Sequence, residues 1–308
     1  MIDLVEYRGW KNNLRLSNGT AEVIVTLDVG PRVICYRQPG GFNVMKNYDD
    51  QMGGTGEEEW QIRGGLRFWL SPEDLTRTYY PDNHPVKHEQ IGPRTVRFTP
   101  PPEKEYGVQK EMTIGLAEKG TRVDVTLRVT NIGPLVTDLA PWAPTVMAPG
   151  GVEIIPQPPH RNHPLHPKNA KSPADFAPSQ ELILWPYFDF TDSRWTMGSR
   201  YIFLRQDPKK GPTKIGLAHR MGWVAYLNQG NLFVKRIGYM EGAAYPDMGT
   251  NYQTFTNEDM LEMETVGVLT RLNPGQSAEL SESWEMFGGV ADVKTEADVD
   301  KHIVPLLA

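Results

Sequence analysis

The chain has 308 residues, with 32 lysines and arginines against 38 aspartates and glutamates, a formal net charge of −6 and 39% hydrophobic residues. This length allows a substantial core, and the scattered basic residues exclude the clustered basic face that a nucleic-acid partner requires. No apolar run reaches the roughly 18 residues of a membrane span, and the single Cys35 excludes a disulfide framework or a cysteine-based zinc site. The N-terminal residues lack the basic and apolar segments of a secretory signal, so we expect a cytoplasmic protein.

Alternation of apolar and polar residues is the main secondary-structure signal. Residues 23–29 place valine or leucine at every second position, and residues 123–130 repeat this pattern with polar residues between. Residues 222–238 predict a hairpin, and residues 260–287 predict a second one that turns at Asn273-Pro-Gly275. Frequent glycines and prolines elsewhere are typical of short strands joined by turns.

The C-terminal residues carry the clearest helix signal. Thr295 precedes Asp298 by three residues, as in a capping box, and apolar residues follow at helical spacing. The proline-rich segment 156–180 predicts a long loop, of a kind that is often functional. We therefore predict an all-β chain with one domain over residues 1–308, a large antiparallel β-sandwich with a short C-terminal helix at about 292–306.

Aromatic residues give the first indication of function. The sequence contains eight tryptophans and twelve tyrosines, many of them close to charged residues, such as Trp60, Trp69 and Tyr245. Flat aromatic faces beside hydrogen-bonding groups suit sugar rings, whose C–H faces stack while their hydroxyl groups need polar partners. The alternative is ordinary packing, which accounts for most single aromatic residues.

Three carboxylates near the C-terminus are candidates for chemistry. Glu262 and Glu264 share one face of a predicted strand, and Glu282 alternates in phase with apolar residues. Hairpin register decides whether Glu282 joins the other two, and convergence would raise some of their pKa values toward neutrality, as a general acid or base requires. The alternative is that Glu262 and Glu264 lie on a solvated face and Glu282 pairs with an arginine.

Three histidines, His160, His163 and His166, lie close together in the 156–180 loop. Three imidazoles could form a catalytic zinc site with an open position. However, two of them precede proline, their spacing matches no helical ligand pattern, and no acidic ligand is near. We therefore predict no metal site, and a role for one histidine as an acid or base at the rim of a pocket.

Several segments resemble the galactose mutarotase-like (aldose 1-epimerase) superfamily, and in particular a bacterial branch of it. Leu16-Ser-Asn-Gly and Leu27-Asp-Val-Gly-Pro-Arg-Val-Ile34 resemble its first hairpin, and residues 61–73 resemble the Arg-Gly-Gly segment of its hexose-phosphate mutarotases. Residues 261–287 resemble its closing Leu-Glu-Thr strand, Pro-Gly turn and final strand. The resemblance implies a β-supersandwich whose concave face binds carbohydrate.

The resemblance carries over to catalysis only in part. Aldose 1-epimerases use a histidine as general acid, but the corresponding stretch here is Ala140-Pro-Trp-Ala-Pro144, and Trp142 cannot donate that proton. The acid would then be His160 or another histidine of its loop. Glu241 matches the distance of the family's base from the closing strand, with Asp247 and Glu262 as rivals.

These observations predict one cleft with two groups of residues. The predicted catalytic residues are Glu241, Glu262, Glu264 and His160, and the predicted substrate-binding residues are Arg63, Arg67, Trp69, Trp142, Lys235 and Asp247.

The favoured function is that of an aldose 1-epimerase-like isomerase, which moves protons at the anomeric carbon of a sugar and needs no cofactor. The alternatives are a lyase on the same fold and a non-catalytic carbohydrate-binding protein in which Trp142 stacks on the ligand. In each case we expect a small-molecule carbohydrate ligand, no nucleic acid or membrane partner, and a monomer or homodimer.

Overall fold

The structure is a computed structural model that describes residues 1–307, and β-strands are its main elements. In chain order these are β1 (Ile2–Tyr7), β2 (Trp10–Ser17), β3 (Glu22–Thr26), β4 (Val33–Arg37), β5 (Gly65–Leu66), β6 (Trp69–Ser71), β7 (Lys87–Gly92), β8 (Thr95–Thr99), β9 (Val108–Leu116), β10 (Val123–Asn131), β11 (Thr137–Met147), β12 (Val152–Pro156), β13 (Leu182–Leu184), β14 (Trp195–Met197), β15 (Tyr201–Arg205), β16 (Thr213–Leu217), β17 (Trp223–Asn228), β18 (Asn231–Ile237), β19 (Tyr252–Thr256), β20 (Leu261–Val266), β21 (Thr270–Leu272) and β22 (Ser277–Gly288). The helical elements are α1 (Pro246–Gly249), α2 (Glu296–His302) and 3₁₀ turns at Pro167–Asn169, Pro173–Phe176 and Val304–Leu306.

The strands form two antiparallel sheets that pack face to face. The first has 12 strands in the order β1-β2-β3-β4-β5-β11-β20-β19-β16-β13, with β6 and β21 also paired to β11. The second has 10 strands in the order β14-β15-β12-β17-β18-β22-β10-β9-β8-β7. The predicted all-β antiparallel sandwich is therefore confirmed.

Alternation within single strands explains how the core forms between the sheets. In β10, Val125 and Leu127 are buried and pair with Ile114 and Met112 of β9, while the residues between them are exposed or half-buried. These four side chains belong to one core cluster that also includes residues of the first sheet, such as Met263. Burial of this shared apolar surface drives the two sheets together.

Strand β20 presents its two faces to different surroundings. Leu261 and Met263 belong to the core between the sheets. Since successive side chains of a strand point to opposite faces, Glu262 and Glu264 project from the outer face of the first sheet. This outer face carries the candidate site.

One of the two predicted hairpins is present. Strands β17 and β18 pair through Asn228 and Asn231, as the sequence predicts. The second predicted hairpin is wrong, because β20 pairs with β11 and β19 while β22 pairs with β10 and β18. The turn that follows β21 therefore carries the chain from one sheet to the other, and it places Glu282 in the other sheet from Glu262.

The C-terminal helix begins where the capping box predicts. The Thr295 side chain accepts a hydrogen bond from the backbone N–H of Asp298, and the Asp298 side chain accepts one from the backbone N–H of Thr295. Helix α2 is shorter than the predicted 292–306, because a 3₁₀ turn at Val304–Leu306 replaces its last part. Val299 packs on a second apolar cluster on the outside of the second sheet. Within residues 1–307, no helix has the length and apolar character to cross a membrane.

Candidate functional site

Two buried ion pairs form the floor of a cleft on the outer face of the first sheet. Arg67 donates through Nη1 to Oε1 of Glu262 at 2.7 Å. Lys214 of β16 donates through Nζ to both oxygens of Glu264, at 3.1 and 2.9 Å. All four residues are buried, so each charge depends on its partner for compensation.

Aromatic side chains form the walls of this cleft. Trp69 lies 5.2 Å from Trp142, 5.1 Å from Trp60 and 5.0 Å from Tyr79 between ring centroids. The guanidinium of Arg67 lies 3.8 Å from the centroid of the Trp69 ring, a cation–π contact that keeps its plane beside the cleft. The remaining lining residues are Ile62, Glu73, Tyr187, Phe255, Asn257 and Met260, and the cleft encloses about 330 Å³.

Glu264 has the most constrained carboxyl group in the cleft. Its Oε2 accepts a hydrogen bond from Nε1 of Trp142 at 3.0 Å in addition to the contacts with Lys214. Burial raises the pKa of Glu264, and the neighbouring charge of Glu262 raises it further, while Lys214 opposes the rise. The two carboxyl groups on this strand have different cationic partners, Arg67 for Glu262 and Lys214 for Glu264.

The exposed wall of the cleft includes two tyrosines. Tyr79 donates a hydrogen bond through its hydroxyl to Oε1 of Glu73 at 2.5 Å, and burial followed by this contact raises the pKa of Tyr79. Tyr187 also lines the cleft, and burial raises its pKa as well. Both hydroxyls therefore stay protonated at neutral pH and can act as hydrogen-bond donors.

Two buried arginines hold the irregular segments that carry part of this wall. Arg32 pairs with Asp82 at 2.8 Å and donates to the carbonyl oxygens of Gln61 and Ile62. Arg63 pairs with Glu57 at 2.6 Å, and it also donates to Oδ1 of Asn83 at 2.9 Å and to the carbonyl oxygen of Gln51 at 2.8 Å. These contacts fix the segments on either side of β5 and β6, from which Trp60 and Tyr79 project.

The structure brings together five of the predicted site residues. Arg67, Trp69, Trp142, Glu262 and Glu264 all line the cleft. Trp142 is only 2% exposed and hydrogen-bonded to Glu264, so it supports the carboxylate and cannot serve as the open stacking surface that the binding-protein hypothesis assumed.

Arg63 and Lys235 do not lie in the cleft, and their predicted placement is corrected. Arg63 is fully buried beneath the wall in the contacts with Glu57 and Asn83. Lys235 lies between the two sheets, since β18 belongs to the second sheet and Lys235 alternates in phase with the core residue Phe233. Both side chains form ion pairs within the protein, Arg63 with Glu57 and Lys235 with Glu282.

Three other predicted residues do not line the cleft. Glu241 has a side chain that is 80% exposed and contacts Arg220 at 3.4 Å. Asp247 accepts a hydrogen bond at 2.6 Å from Gln253. Gln253 lies on β19, opposite Glu264 in the backbone register with β20. His160 is exposed in the 156–180 loop. Their predicted catalytic and binding roles remain predictions.

The other loop histidines are also exposed, and His163 and His166 accept local backbone hydrogen bonds from Leu165 and Lys168. Over residues 1–307, no group of three or more His, Cys, Asp or Glu side chains has an arrangement that could hold a metal ion.

Sequence reasoning missed Lys214, the partner of Glu264. Apolar and polar residues alternate along its strand: Ile215 and Leu217 belong to the core, and Lys214 falls on the opposite face. The pattern could thus have placed Lys214 on the outer face. Nothing local to β16 indicates that it lies two strands from β20, with β19 between them.

The two sheets have a galactose mutarotase-like fold, as the resemblance implied. No protein-family model and no curated protein matches this sequence. A galactose mutarotase-like protein from Lactobacillus casei ATCC 334 is similar over 90% of this chain and 100% of that chain, with 11% identity and a TM-score of 0.58. The Slr1438 protein from Synechocystis sp. PCC 6803 is similar over 92% of this chain and 99% of its own, with 9% identity and a TM-score of 0.60.

A TPR-domain containing protein from Parabacteroides distasonis ATCC 8503 has 14% identity and a TM-score of 0.60 over 92% of this chain. The match covers 49% of that protein, so this chain spans about half of its length. At these identities the similarities establish the fold, and any function has to be argued from the cleft itself.

Proposed function

We propose that the cleft binds a small carbohydrate and exchanges protons with it at the anomeric centre, in the manner of an aldose 1-epimerase. One observation carries the proposal. Two carboxyl groups on the same strand face, Glu262 and Glu264, lie in an aromatic cleft and are held in separate ion pairs. Two carboxyl groups that are held in different ion pairs beside one cavity can act as an acid and a base.

The composition of the cleft favours a sugar as its ligand. Indole and phenol rings of Trp60, Tyr79 and Tyr187 offer flat surfaces for the C–H faces of a pyranose. The ion pairs and tyrosine hydroxyls offer donors and acceptors for the ring hydroxyl groups. The galactose mutarotase-like fold agrees with this ligand class.

The proposed reaction is ring opening and closure. A base removes the proton from the C1 hydroxyl, the O1 electrons form the carbonyl bond, and the C1–O5 bond breaks as O5 takes a proton from the acid. Rotation about C1–C2 and reversal of these steps gives the other anomer, so atoms and charge balance without a cofactor.

The surroundings of the two carboxyl groups suggest their roles. Arg67 pairs with Glu262 at 2.7 Å and orients its carboxylate beside the cleft, which suits the base. The raised pKa of Glu264 favours a proton on the Lys214–Glu264 pair, which suits the acid. This assignment replaces the histidine acid expected from the resemblance by a carboxyl–ammonium pair.

A non-catalytic carbohydrate-binding protein is the second candidate, and one observation favours it. Within residues 1–307 no histidine lines the cleft, and both carboxylates already have a cationic partner. Such a site would hold a sugar by hydrogen bonds and stacking without exchanging protons.

Anomer exchange measured by proton NMR separates the two candidates. We expect the protein to accelerate exchange between the anomeric signals of at least one sugar in a panel of neutral aldoses and hexuronates. Glu262→Gln keeps the shape of the side chain but removes its proton affinity, and it should lower the rate by about 10²–10⁴-fold with little change in affinity.

Glu279→Gln is the matched control, since Glu279 lies on β22 of the second sheet and is 54% exposed. It should leave the exchange rate unchanged. Saturable binding that is weakened by a cleft variant such as Tyr79→Ala, with no acceleration for any sugar, would decide for the binding protein. Absence of both binding and acceleration would refute a carbohydrate site here.

A further inference from the structure

A buried lysine lies directly behind the strand that carries the two cleft carboxylates. The Nζ of Lys235 donates to the carbonyl oxygen of Met263 at 3.0 Å and to that of Ala143 at 3.2 Å. Lys235 is fully buried, and it reaches these atoms from the second sheet across the interior of the sandwich.

The two carbonyl groups belong to neighbouring strands of the first sheet. Met263 lies between Glu262 and Glu264 on β20, and Ala143 follows Trp142 on β11. The ammonium group therefore contacts the backbone between Glu262 and Glu264 on β20 and next to Trp142 on β11. On the cleft side, the same two strands are joined by the hydrogen bond from Trp142 to Glu264.

The charge of Lys235 is itself held in place. Glu282 lies 3.1 Å away through Oε2, and its Oε1 accepts a hydrogen bond from Nε1 of Trp284 at 2.8 Å. A buried ion pair contributes little net stability compared with apolar side chains of the same size, because desolvation offsets the attraction. What the pair adds in this location is a fixed donor directed at two backbone carbonyls.

We propose that Lys235 is a positioning residue, which holds β11 and β20 in register behind the cleft and so keeps Trp142 hydrogen-bonded to Glu264. Lys235 acts through the backbone and does not touch the ligand. The effect on the cleft geometry is independent of any reaction, whereas the effect on a rate rests on the proposed function.

The test compares two double variants that each remove one buried Lys–Glu pair. Lys235→Met with Glu282→Gln deletes the donor, keeps the side-chain volume and leaves an acceptor for Trp284. The control is Lys110→Met with Glu103→Gln, since that pair is 2.6 Å apart and nearly as buried but lies at a distinct small cavity beside Pro31.

The readout is the indole N–H of Trp142, followed by ¹H–¹⁵N NMR in the protein without ligand. In the Lys235 double variant its exchange with solvent should rise about tenfold, the effect expected for weakening one hydrogen bond to a charged acceptor. The Lys110 control should stay within about twofold.

An unchanged Trp142 signal in the Lys235 double variant would overturn the proposal, because positioning would then not depend on Lys235. Equal acceleration in both double variants would also overturn it, as would loss of folding in the Lys235 variant alone, because either result assigns the pair to general stability. If anomer exchange is catalysed, kcat should fall in the Lys235 variant with little change in KM. If the protein proves inactive, the indole test still applies. Failure of the proposed function can therefore be distinguished from failure of the positioning role.

Discussion

Glu153 gives the protein a pH-dependent stability that can be measured directly. Its carboxylate is fully buried between the sheets and accepts hydrogen bonds from the hydroxyl of Tyr252 and, at 2.7 Å, from that of Thr254. Burial raises the pKa of Glu153 from 4.5 to about 8, although both hydrogen bonds favour the ionised form. In the folded protein this group therefore binds its proton more tightly than it does in the unfolded chain.

The sign of the effect follows from that difference. Below the unfolded pKa of 4.5 the group is protonated in both the folded and the unfolded state, so it does not change the free energy of unfolding with pH. Between pH 4.5 and about 8 only the unfolded chain releases the proton, so the free energy of unfolding decreases as pH rises. With about 1.36 kcal/mol per unit of pKa difference, the loss is on the order of 5 kcal/mol by pH 8 and constant above it.

Glu153→Gln removes this titration and keeps an oxygen for one of the two hydroxyl donors. Urea unfolding at pH 5, 6, 7, 8 and 9 should show the variant gaining stability relative to the parent as pH rises, by several kcal/mol in total. A difference between parent and variant that stays constant over this range would refute the reasoning. Glu279→Gln serves as the control, because it makes the same substitution at a carboxylate that is exposed on the second sheet.

Three further changes have defined outcomes. Thr295→Ala removes the N-cap of α2 and should lower the free energy of unfolding by about 1 kcal/mol in urea titrations. Gly65→Ala would place a Cβ 2.0 Å from the carbonyl oxygen of Val33 and should destabilise by at least about 3 kcal/mol more than Gly19→Ala, which meets no atom within 4 Å although both have positive φ. Lys214→Met removes the counter-ion of Glu264, so ¹³C NMR of the carboxyl group should show a further rise in its pKa, and an unchanged titration would contradict the ion pair.

Local signals predicted the structure well where a segment determines its own conformation. The capping box at Thr295 begins helix α2, and the hairpin of β17 and β18 turns where the sequence indicates. Glu282 alternates with Leu280 and Trp284, and it lies in the interior as that phase implies. Each of these predictions depends only on residues close together in the chain.

The errors arose where the answer depends on which strands become neighbours. The Pro-Gly turn after β21 looks like a hairpin turn, yet the chain crosses to the other sheet there, since β11 and β10 supply the pairing partners. Lys235 was placed in the cleft, although its phase with Phe233 and Ile237 already indicated the interior. Pairing between distant segments fixes the contact of Lys214 with Glu264, and no local pattern encodes it.

The two arginines under the cleft wall have a consequence for redesign. Arg32 and Arg63 bind the irregular segments at Glu57, Ile62 and Asp82. Trp60 lies between Glu57 and Ile62 in the chain, and Tyr79 lies between Ile62 and Asp82. The two cleft carboxylates, Glu262 and Glu264, are on a separate strand within the first sheet. The segments that form the wall could thus be replaced while the first sheet beneath them is kept. Grafting loops of other lengths and sequences between the same anchors would change the wall of the cleft while leaving Glu262 and Glu264 of β20 in place.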